Sequence, residues 1–435
     1  MRWFLITAAL LLVAMVFQLG LLAYAMYALL AVMLLSRVMA RQWAENLEGA
    51  RECNRVAVNV GEKVAVLVSV TNAGKLPVAW VLMEDLLPRD AIIARPAKIQ
   101  MHGKRLHLAM LPGGKTRTFP YQVEFRQRGY YQIGPLVLET GDLFGLHRRW
   151  HMAARPHFVL VYPEVLALEG YDLASRRPIG EVRMTHRLYE DPTRIAGVRT
   201  YQAGDPLNRV HWRATARTGE LHSKVYEASS VAGATILLEF NEGAYDPRHE
   251  PYRSELAVTA TASLANALYQ MDQQVGLVTN GRDAVDRIRR EGWDPDPRTR
   301  KAAQRSVEML DHSDRLRPQV VPTCRGPEQL TRILESLARV ELTDGLDLAA
   351  LIGETASRMP RDATILAILP TVSPTAACAL GNLRRQGRAV TAIVIAYEDY
   401  EFEKTAGWLA AEGIETRQLR NREALPNVCR DYVLG

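Results

Sequence analysis

The chain has 435 residues, of which 48% are hydrophobic and 23% charged, a composition that is ordinary for folded proteins and a length sufficient for two or three domains. Its formal net charge of +6 is small for this length and argues against a strongly basic nucleic-acid-binding protein. The four cysteines stand far apart with no C-x-x-C spacing, which argues against a disulfide framework or a zinc knuckle and fits a reducing compartment.

The first predicted element is an apolar segment within residues 1–50. No charged residue occurs from Trp3 to Leu35, and Arg2 and Arg37 flank this run, which exceeds the roughly 20 residues that cross a bilayer once. We predict a transmembrane helical hairpin that turns near Gln18-Leu19-Gly20, with both ends in the cytoplasm because arginines favour that side. A single tilted span and a signal peptide cleaved near Ala23-Tyr24-Ala25 are the alternatives.

Residues 51–162 are predicted to form an antiparallel β-sandwich. Apolar and polar residues alternate from Arg55 to Pro88 and again from Leu106 to Phe125, with turn residues between the runs. One turn, Gly114-Lys115-Thr116, resembles the end of a phosphate-binding P-loop. Because Ala109 replaces the first glycine of that motif and a strand follows instead of a helix, we interpret it as a hairpin turn.

Residues 233–435 are predicted to form a doubly wound α/β domain. Four continuous apolar runs (ATILLEF, QVGLVT, ATILAIL and AVTAIVIAY) are typical of buried parallel strands, and amphipathic helical patterns separate them. Two of these helices are indicated by apolar residues from Leu256 to Met271 and from Leu330 to Leu337. The stretch from Arg282 to Arg317 is dense in charge, so we expect a mobile or helical insertion there.

The connector at residues 163–232 contains a basic strip, AGDPLNRVHWRATARTGELHSK, from Ala203 to Lys224. Asp205, followed by proline, predicts the start of a helix, and Gly219 predicts its end. After the helix, the residues from Leu221 to Glu227 alternate like a strand. Within the predicted helix, arginines recur every four residues and form one basic ridge: Arg209, Arg213 and Arg217.

Three interpretations of this strip are open. In the first, Trp212 packs on its own domain and the arginines are solvated. In the second, the arginine ridge docks an acidic partner while Trp212 anchors the helix. In the third, His211 or His222 is a catalytic base, although the sequence identifies neither a nucleophile nor a substrate pocket beside them. We assign partner binding to the three arginines and structural roles to Asp205 and Trp212.

The strip and its surroundings resemble the bacterial family known as domain of unknown function 58. The resemblance rests on RTYQAGDPLNRVHWRATARTGELHSKVYE, on RGYYQIGPLVLETGDLFGLHRRW upstream and on RGPEQLTRILESLARV downstream, and it covers nearly the whole chain. One departure is Leu143, which stands where the family pattern has proline. The structural signature residues of the strip are Gly204, Asp205, His211, Trp212 and Lys224.

The resemblance implies a multi-pass protein of the bacterial plasma membrane with cytoplasmic soluble domains. It also implies that the C-terminal half is similar to a von Willebrand factor type A domain. Many such domains bind Mg²⁺ through oxygen ligands after the first strand; here Glu239, Asn241 and Gly243 take those positions, and Pro370 and Thr371 follow a later strand. We therefore expect a degenerate site without metal, formed by Glu239, Asn241 and Thr371, and no cofactor. A remodelled metal site is the alternative.

A MoxR-type AAA+ ATPase is the partner that the resemblance implies, together with an unknown client protein. The leading hypothesis is a non-enzymatic, membrane-anchored interaction or scaffold protein that works in chaperone-like assembly or maturation of other proteins. The alternative is a membrane-anchored hydrolase that uses acidic residues near Glu239, although the sequence has no nucleophile elbow or zinc-binding helix motif. No nucleic-acid partner is expected, because the arginine ridge lacks interleaved aromatic residues.

Overall fold

The structure is a computed structural model that describes residues 2–168, 190–202, 210–228, 233–291, 315–360 and 363–428. Its contacts divide the chain into two units. Unit 1 comprises Met1–Glu164, Gly281–Arg317 and Leu334–Thr343, and unit 2 comprises Val165–Asn280, Pro318–Ile333 and Asp344–Gly435.

The helices and strands are numbered here in chain order. The α-helices are α1 (Arg2–Val16), α2 (Gly20–Glu45), α3 (Arg89–Ile93), α4 (Trp212–Thr218), α5 (Tyr252–Gln270), α6 (Ala284–Glu291), α7 (Pro327–Arg339), α8 (Leu348–Thr355), α9 (Pro374–Arg385) and α10 (Asp399–Ala411). The strands of unit 1 are β1 (Leu47–Cys53), β2 (Ala57–Asn59), β3 (Lys63–Asn72), β4 (Val78–Asp85), β5 (Ile99–His102), β6 (Leu106–Leu111), β7 (Thr116–Phe125), β8 (Gly129–Ile133), β9 (Leu136–Gly141), β10 (Arg148–Ala154), β11 (His157–Tyr162), β16 (Arg282–Asp283) and β18 (Val340–Glu341). Those of unit 2 are β12 (Glu190–Thr200), β13 (His222–Ala228), β14 (Gly233–Leu238), β15 (Gln274–Thr279), β17 (Gln319–Cys324), β19 (Thr364–Leu369), β20 (Val390–Ile395) and β21 (Glu415–Leu419).

Two apolar helices open unit 1. α1 and α2 lie against each other, and the Thr7 hydroxyl approaches the Met33 sulfur at 3.8 Å. The chain turns between them at residues 17–19, near the predicted position. Among the described residues, α2 alone is long and apolar enough to cross a membrane, and the apolar part of α1, Phe4–Val16, is shorter. The structure therefore supports one candidate spanning helix.

Three antiparallel or mixed sheets follow, in the region predicted to be a β-sandwich. Their strand orders are β1-β3-β7-β5, β10-β9-β4-β6 and β2-β11-β8. Along β3, the residues Val64, Val66, Val68 and Val70 are buried and alternate with more exposed ones, because successive side chains of a strand point to opposite faces. These valines join residues of the other sheets, such as Met83 and Leu138, in one hydrophobic core. The sandwich-like region is thus confirmed.

The turn at Gly114 connects two sheets and does not close a hairpin. β6 pairs with β4, whereas β7 pairs with β3 and β5. The Gly114 N–H donates to the carbonyl of Asn72 at 2.9 Å, and the residue has φ of +68°, a conformation that suits glycine. The prediction of a turn was right and that of a hairpin was wrong, because local alternation does not reveal which strand is the partner.

A buried ion pair lies inside the sandwich. The Arg51 guanidinium donates to the Asp85 carboxylate, and both side chains are almost fully buried. The Tyr121 hydroxyl donates to the same carboxylate at 2.5 Å, and Arg51 also donates to the carbonyl oxygens of Ile133 and Arg155. A buried charge is costly unless it is paired and hydrogen-bonded, so each of these groups depends on the others. The network therefore fixes the strands that carry them relative to one another.

Unit 1 also takes two segments from the region that the sequence assigns to the α/β domain. The Arg128 guanidinium donates to the carbonyl oxygens of Leu337 and Val340 at 2.7 and 2.8 Å. In addition, β16 pairs with β18 as a short antiparallel ladder. These contacts explain why residues 281–317 and 334–343 group with the sandwich, whereas the sequence places all of 233–435 in one domain.

Unit 2 contains a six-stranded sheet in the order β17-β15-β14-β19-β20-β21. Five of these strands are parallel and β17 is antiparallel to β15. All four predicted apolar strands are present as β14, β15, β19 and β20. Every residue of β14 and β19 is buried, as expected for strands that are covered on both faces. α5 packs on the sheet, and thirteen of its residues are buried.

Candidate functional site

The carboxyl ends of β14 and β15 bring the first group of candidate residues together. These strands are parallel neighbours with Leu238 opposite Thr279, so the residues that follow them, Glu239 and Asn280, emerge side by side. Ligands of open α/β sheets bind outside this edge of the sheet. The polar side chains at this edge are therefore a candidate site, called here the sheet-edge cluster: Glu239, Asn241, Asn280 and Thr371.

Glu239 is the buried acid of the sheet-edge cluster, with 2% of its surface exposed. Its Oε1 accepts hydrogen bonds from Asn280 Nδ2 at 2.9 Å and from the Asn241 backbone N–H at 3.3 Å. Its Oε2 is buried and has no hydrogen-bond partner among the described residues. Burial raises the pKa of Glu239 to about 7, and these two hydrogen bonds only partly oppose that effect. The side chain can therefore hold or release a proton near neutral pH.

The two asparagines bind backbone groups on the loop before α8. Asn241 Nδ2 donates to the carbonyl oxygens of Gly345 and Leu346 at 3.2 and 3.0 Å. Asn280 Nδ2 also donates to the Leu346 carbonyl, at 2.7 Å. The oxygen of Asn241 accepts from the Gly243 N–H at 2.8 Å. Both amides thus hold the loop at residues 345–346 against the sheet edge.

Thr371 does not join the other predicted ligands. Its hydroxyl is exposed and donates to the carbonyl of Ala244 at 3.0 Å, not to Glu239 or Asn241. Within the described parts of the chain, no group of three or more His, Cys, Asp or Glu side chains could hold a metal ion. Glu239 and Asn241 are therefore brought together, but apart from Glu239 Oε2 their polar atoms bind other groups of the protein.

Sequence reasoning missed Asn280 and Asp347. Asn280 is 1% exposed, and its Oδ1 also accepts from the Phe240 N–H at 2.6 Å. Asp347 caps α8 through the Ala350 N–H at 2.7 Å, and its charge adds to the raised pKa of Glu239. A signal for Asn280 was available, because this residue directly follows the predicted strand QVGLVT and the ends of adjacent parallel strands meet.

The basic strip is the second candidate region, and only part of it can be described. Gly204, Asp205 and Arg209 lie outside the described residues. Val210 forms a β-bridge with Ser223, so the chain is extended there and a helix does not run from Asp205 to Gly219. α4 begins at Trp212 instead, and its N-cap is the His211 ring, whose Nδ1 accepts from the Ala214 N–H at 3.0 Å.

The end of α4 follows the prediction. Gly219 has φ of +76° and its N–H donates to the Thr215 carbonyl at 2.9 Å, which is a left-handed helix end. The predicted strand after it is present as β13, where Lys224 is half-buried opposite Val198 of β12. The paired strands β12 and β13 form a two-stranded ribbon that carries α4.

The prediction that Trp212 anchors its helix was wrong. The Trp212 side chain is 69% exposed, and none of the residues of α4 is buried. A two-stranded ribbon offers little apolar surface to cover, so a short helix beside it leaves its ring in solvent. Arg213 and Arg217 are both exposed and lie about one turn apart on α4, whereas Arg209 precedes the helix. We call the exposed residues Trp212, Arg213 and Arg217 the α4 surface.

The region that contains the basic strip matches a known protein family. The family model described as "Protein of unknown function DUF58" matches residues 197–348. This region belongs to the DUF58 family. The match contains the α4 surface and the sheet-edge cluster apart from Thr371. The recognition made from the strip is therefore confirmed, whereas the description of the family itself assigns no activity.

Other similar proteins are distant. The chain is 23% identical over 283 residues to "Uncharacterized protein YeaD" of Bacillus subtilis (strain 168), covering 64% of this chain and 67% of that protein. Among solved structures, the CARDB domain of the PF1109 protein from Pyrococcus furiosus is 15% identical with a TM-score of 0.18, covering 26% of this chain and 91% of its own. The sporulation control protein Spo0M of Bacillus subtilis is 12% identical with a TM-score of 0.16, covering 27% of this chain and 49% of its own.

Proposed function

We propose that this DUF58 chain is a membrane-anchored, non-enzymatic interaction protein whose unit 2 docks a partner protein through the α4 surface. The observation that carries the proposal is the exposure of Trp212 beside Arg213 and Arg217 on a helix with no buried residue. Tryptophan and arginine are the residue types most enriched among those that dominate binding energy at protein interfaces. The indole takes no part in the core of its own unit and is available to pack against another surface.

The partner that we propose is a MoxR-type AAA+ ATPase, acting with this chain on a client protein during assembly or maturation. An acidic patch on the partner would complement the two arginines and speed association. This assignment rests on the family resemblance for the identity of the ATPase. The two arginines of the α4 surface support a partner surface that is negatively charged.

Both N-terminal helices are proposed to lie in the plasma membrane of a bacterium, with the two units in the cytoplasm. Arg37 and Arg41 follow the apolar part of α2 and favour this orientation. Free Cys53, Cys324 and Cys378 suit a reducing compartment. A C-terminal reporter enzyme should be active only on the cytoplasmic side, and alkaline carbonate should leave the chain in the membrane. Periplasmic reporter activity would contradict this topology.

For unit 2 we propose a fold of the von Willebrand factor type A kind with a degenerate metal site. The mainly parallel sheet with its antiparallel edge strand β17 and the polar residues after β14 support this assignment. In this interpretation Asn241 and Asn280 replace metal-bound ligands by direct hydrogen bonds to the backbone of residues 345–346.

Docking through the α4 surface is tested by purifying the full chain from membranes with and without ATP and identifying the proteins that accompany it. The double variant Arg213→Glu, Arg217→Glu should fold normally and lose the ATPase through charge repulsion. A matched control, Arg332→Glu with Arg358→Glu, changes the same charge at two other exposed positions of unit 2 and should keep the partner. Retention of the ATPase by the first variant would place the docking surface elsewhere.

A hydrolase that uses Glu239 is the second candidate function, and its support is the pKa of about 7, which suits a general acid or base at neutral pH. Its weakness is access, because Glu239 is 2% exposed and its neighbours bind one another. Turnover of an ester or amide substrate by the wild type that disappears in Glu239→Gln would favour this candidate over the interaction protein.

A further inference from the structure

The junction between α2 and the sandwich carries an exposed apolar loop. The buried residues Ser36, Ala40 and Trp43 lie three or four positions apart on α2, so they share one helical face. Trp43 enters the hydrophobic core of the sandwich, and α2 lies against β9 and β10. The last turns of the candidate membrane span are therefore built into unit 1.

The strands β9 and β10 run along α2 toward its apolar half. Near the end of α2, the His151 ring is 3.1 Å from the Leu47 carbonyl oxygen. Further along the pair, Asp142 follows β9 and lies beside Ser36, without a hydrogen bond of ordinary geometry between the two side chains. Ser36 is closer than Leu47 to the apolar segment of α2. The β9–β10 loop therefore points toward that apolar segment.

Asp142 gives this loop a fixed shape. Its carboxylate accepts hydrogen bonds from the backbone N–H groups of Phe144 at 2.9 Å, Leu146 at 3.2 Å and His147 at 2.6 Å. Burial alone would raise the pKa of Asp142. The three backbone hydrogen bonds and the nearby Ser36 hydroxyl outweigh burial, so the pKa of Asp142 lies below its usual value. The carboxylate is therefore ionised at neutral pH and holds the loop closed.

The loop tip presents three apolar side chains to solvent: Leu143 (63% exposed), Phe144 (58%) and Leu146 (51%). Exposed arginines lie on the two elements next to the loop, with Arg148 and Arg149 on β10 and Arg37 and Arg41 on α2, and Trp150 of β10 is 43% exposed. Apolar tips, tryptophan and basic residues together are typical of protein surfaces that enter the boundary between lipid headgroups and acyl chains.

The length of α2 places that boundary near the loop. From Gly20 to Ser36 the helix has about 17 residues without charge, which rise about 25 Å. The hydrocarbon core of a bilayer is roughly 30 Å thick. If Gly20 lies at the far side, the level of Ser36 is still at the near edge of the hydrocarbon, and the apolar tip beside it meets lipid.

We propose that the β9–β10 loop is a second membrane contact, in which Leu143, Phe144 and Leu146 insert into the bilayer interface and Arg148 and Arg149 bind anionic phospholipid headgroups. The proposal rests on the proposed membrane span of α2. Its consequence is mechanical, because a span and an inserted loop on one sandwich fix the orientation of unit 1 relative to the membrane plane.

The test uses the full chain in lipid vesicles, with the four native cysteines replaced by serine and an environment-sensitive fluorophore on one new cysteine. Three positions are compared: Phe144→Cys at the tip, Tyr24→Cys on α2 as the membrane reference, and Leu108→Cys on β6 as the matched exposed apolar control. β6 is the strand of its sheet furthest from β10. Lipids that carry a quencher near the headgroup or at the bilayer centre report the depth of each probe.

We expect the Phe144 probe to be quenched most by headgroup-level quenchers, the Tyr24 probe by deep ones, and the Leu108 probe by neither. Quenching at Tyr24 with none at Phe144 would overturn the loop contact while the span stands. Absence of quenching at both would overturn the span as well. A Phe144 probe that is shielded from aqueous iodide but not quenched by lipid would mean that protein covers the tip, and would also overturn the proposal.

Binding of anionic headgroups is tested by comparing vesicles of two lipid compositions. Quenching of the Phe144 probe should be stronger in vesicles that contain anionic phospholipid than in purely zwitterionic ones, and Arg148→Ser with Arg149→Ser should remove the difference. Equal quenching in both vesicle types would overturn headgroup binding. Insertion can also be tested without a label, through the native tryptophans. Brominated lipid should quench the tryptophan emission of the wild type more than that of Trp150→Phe. Equal quenching in the two proteins would contradict insertion at this edge.

Discussion

Replacing Glu239 by glutamine should make unit 2 less sensitive to pH. In the wild type the buried carboxyl has a pKa of about 7, whereas a solvated glutamate has a pKa near 4.5. Between these values the folded chain keeps the proton that the unfolded chain releases. The free energy of unfolding therefore falls as the pH rises through this window, and the loss is complete above about pH 7.

The size of the loss follows from the two pKa values. A tenfold difference in proton affinity corresponds to about 1.4 kcal/mol, so the whole window corresponds to about 3 kcal/mol. For a domain of this size class, 1 kcal/mol shifts the melting temperature by roughly 2–4 °C, which predicts a shift of roughly 6–12 °C. Glutamine cannot ionise, and its oxygen can accept the hydrogen bonds of Asn280 and Asn241, so Glu239→Gln should lack this shift.

The assay is scanning calorimetry of the full chain in detergent micelles from about pH 5 to about pH 8. Wild type and Glu239→Gln should melt closest together at the acidic end, and the variant should melt several degrees higher at the basic end. Glu242→Gln, three residues further along on an exposed turn, is the matched control and should follow the wild type. Parallel pH dependence of wild type and Glu239→Gln would show that the carboxyl is already ionised in the folded chain.

Asp85→Ala should lower the free energy of unfolding by about 3–5 kcal/mol in urea titration, because it leaves the buried Arg51 guanidinium without its carboxylate; a change below 1 kcal/mol, taken as roughly the size of a surface effect, would contradict burial of the pair. His211→Ala should destabilise α4 by about 1 kcal/mol through loss of its N-cap, seen as faster hydrogen exchange of the α4 amides. Trp212→Ala should change the free energy of unfolding by less than about 0.5 kcal/mol, and a loss of several times that would mean that the ring is enclosed. Mg²⁺ should leave the melting temperature unchanged, and a saturable rise that Glu239→Ala abolishes would contradict this expectation.

The parts of the fold that local patterns determine could be predicted. The apolar runs of β14, β15, β19 and β20 are long enough to be read as buried strands without knowledge of their partners. The end of α4 at Gly219 was predictable because a left-handed residue at a helix end favours glycine. The turn between α1 and α2 was predictable because it holds Gln18, the only amide side chain in the run, followed closely by Gly20.

Features that depend on distant partners could not be predicted. The alternation of β6 and β7 is the same whether they pair with each other or with β4 and β3, so the crossing between sheets left no local trace. β21, with the sequence ETRQL, is a polar edge strand that hydrophobicity does not reveal. Trp212 was misplaced because large apolar residues are usually buried, and a single sequence does not show when one of them stays exposed.

The two candidate regions differ in what a ligand would have to displace. At the sheet edge, Asn241 and Asn280 hold the loop at residues 345–346, and Glu239 lies beneath with one unused oxygen. A substrate could reach that oxygen only if those hydrogen bonds were broken. On α4, the Trp212 ring is already in solvent, so a partner needs no rearrangement. Binding and stability should therefore separate: Glu239→Gln should change the pH dependence of melting and keep the partner, whereas Trp212→Ala should keep the melting temperature and lose the partner. A variant at Glu239 that lost the partner as well would show that the sheet edge is part of the docking surface.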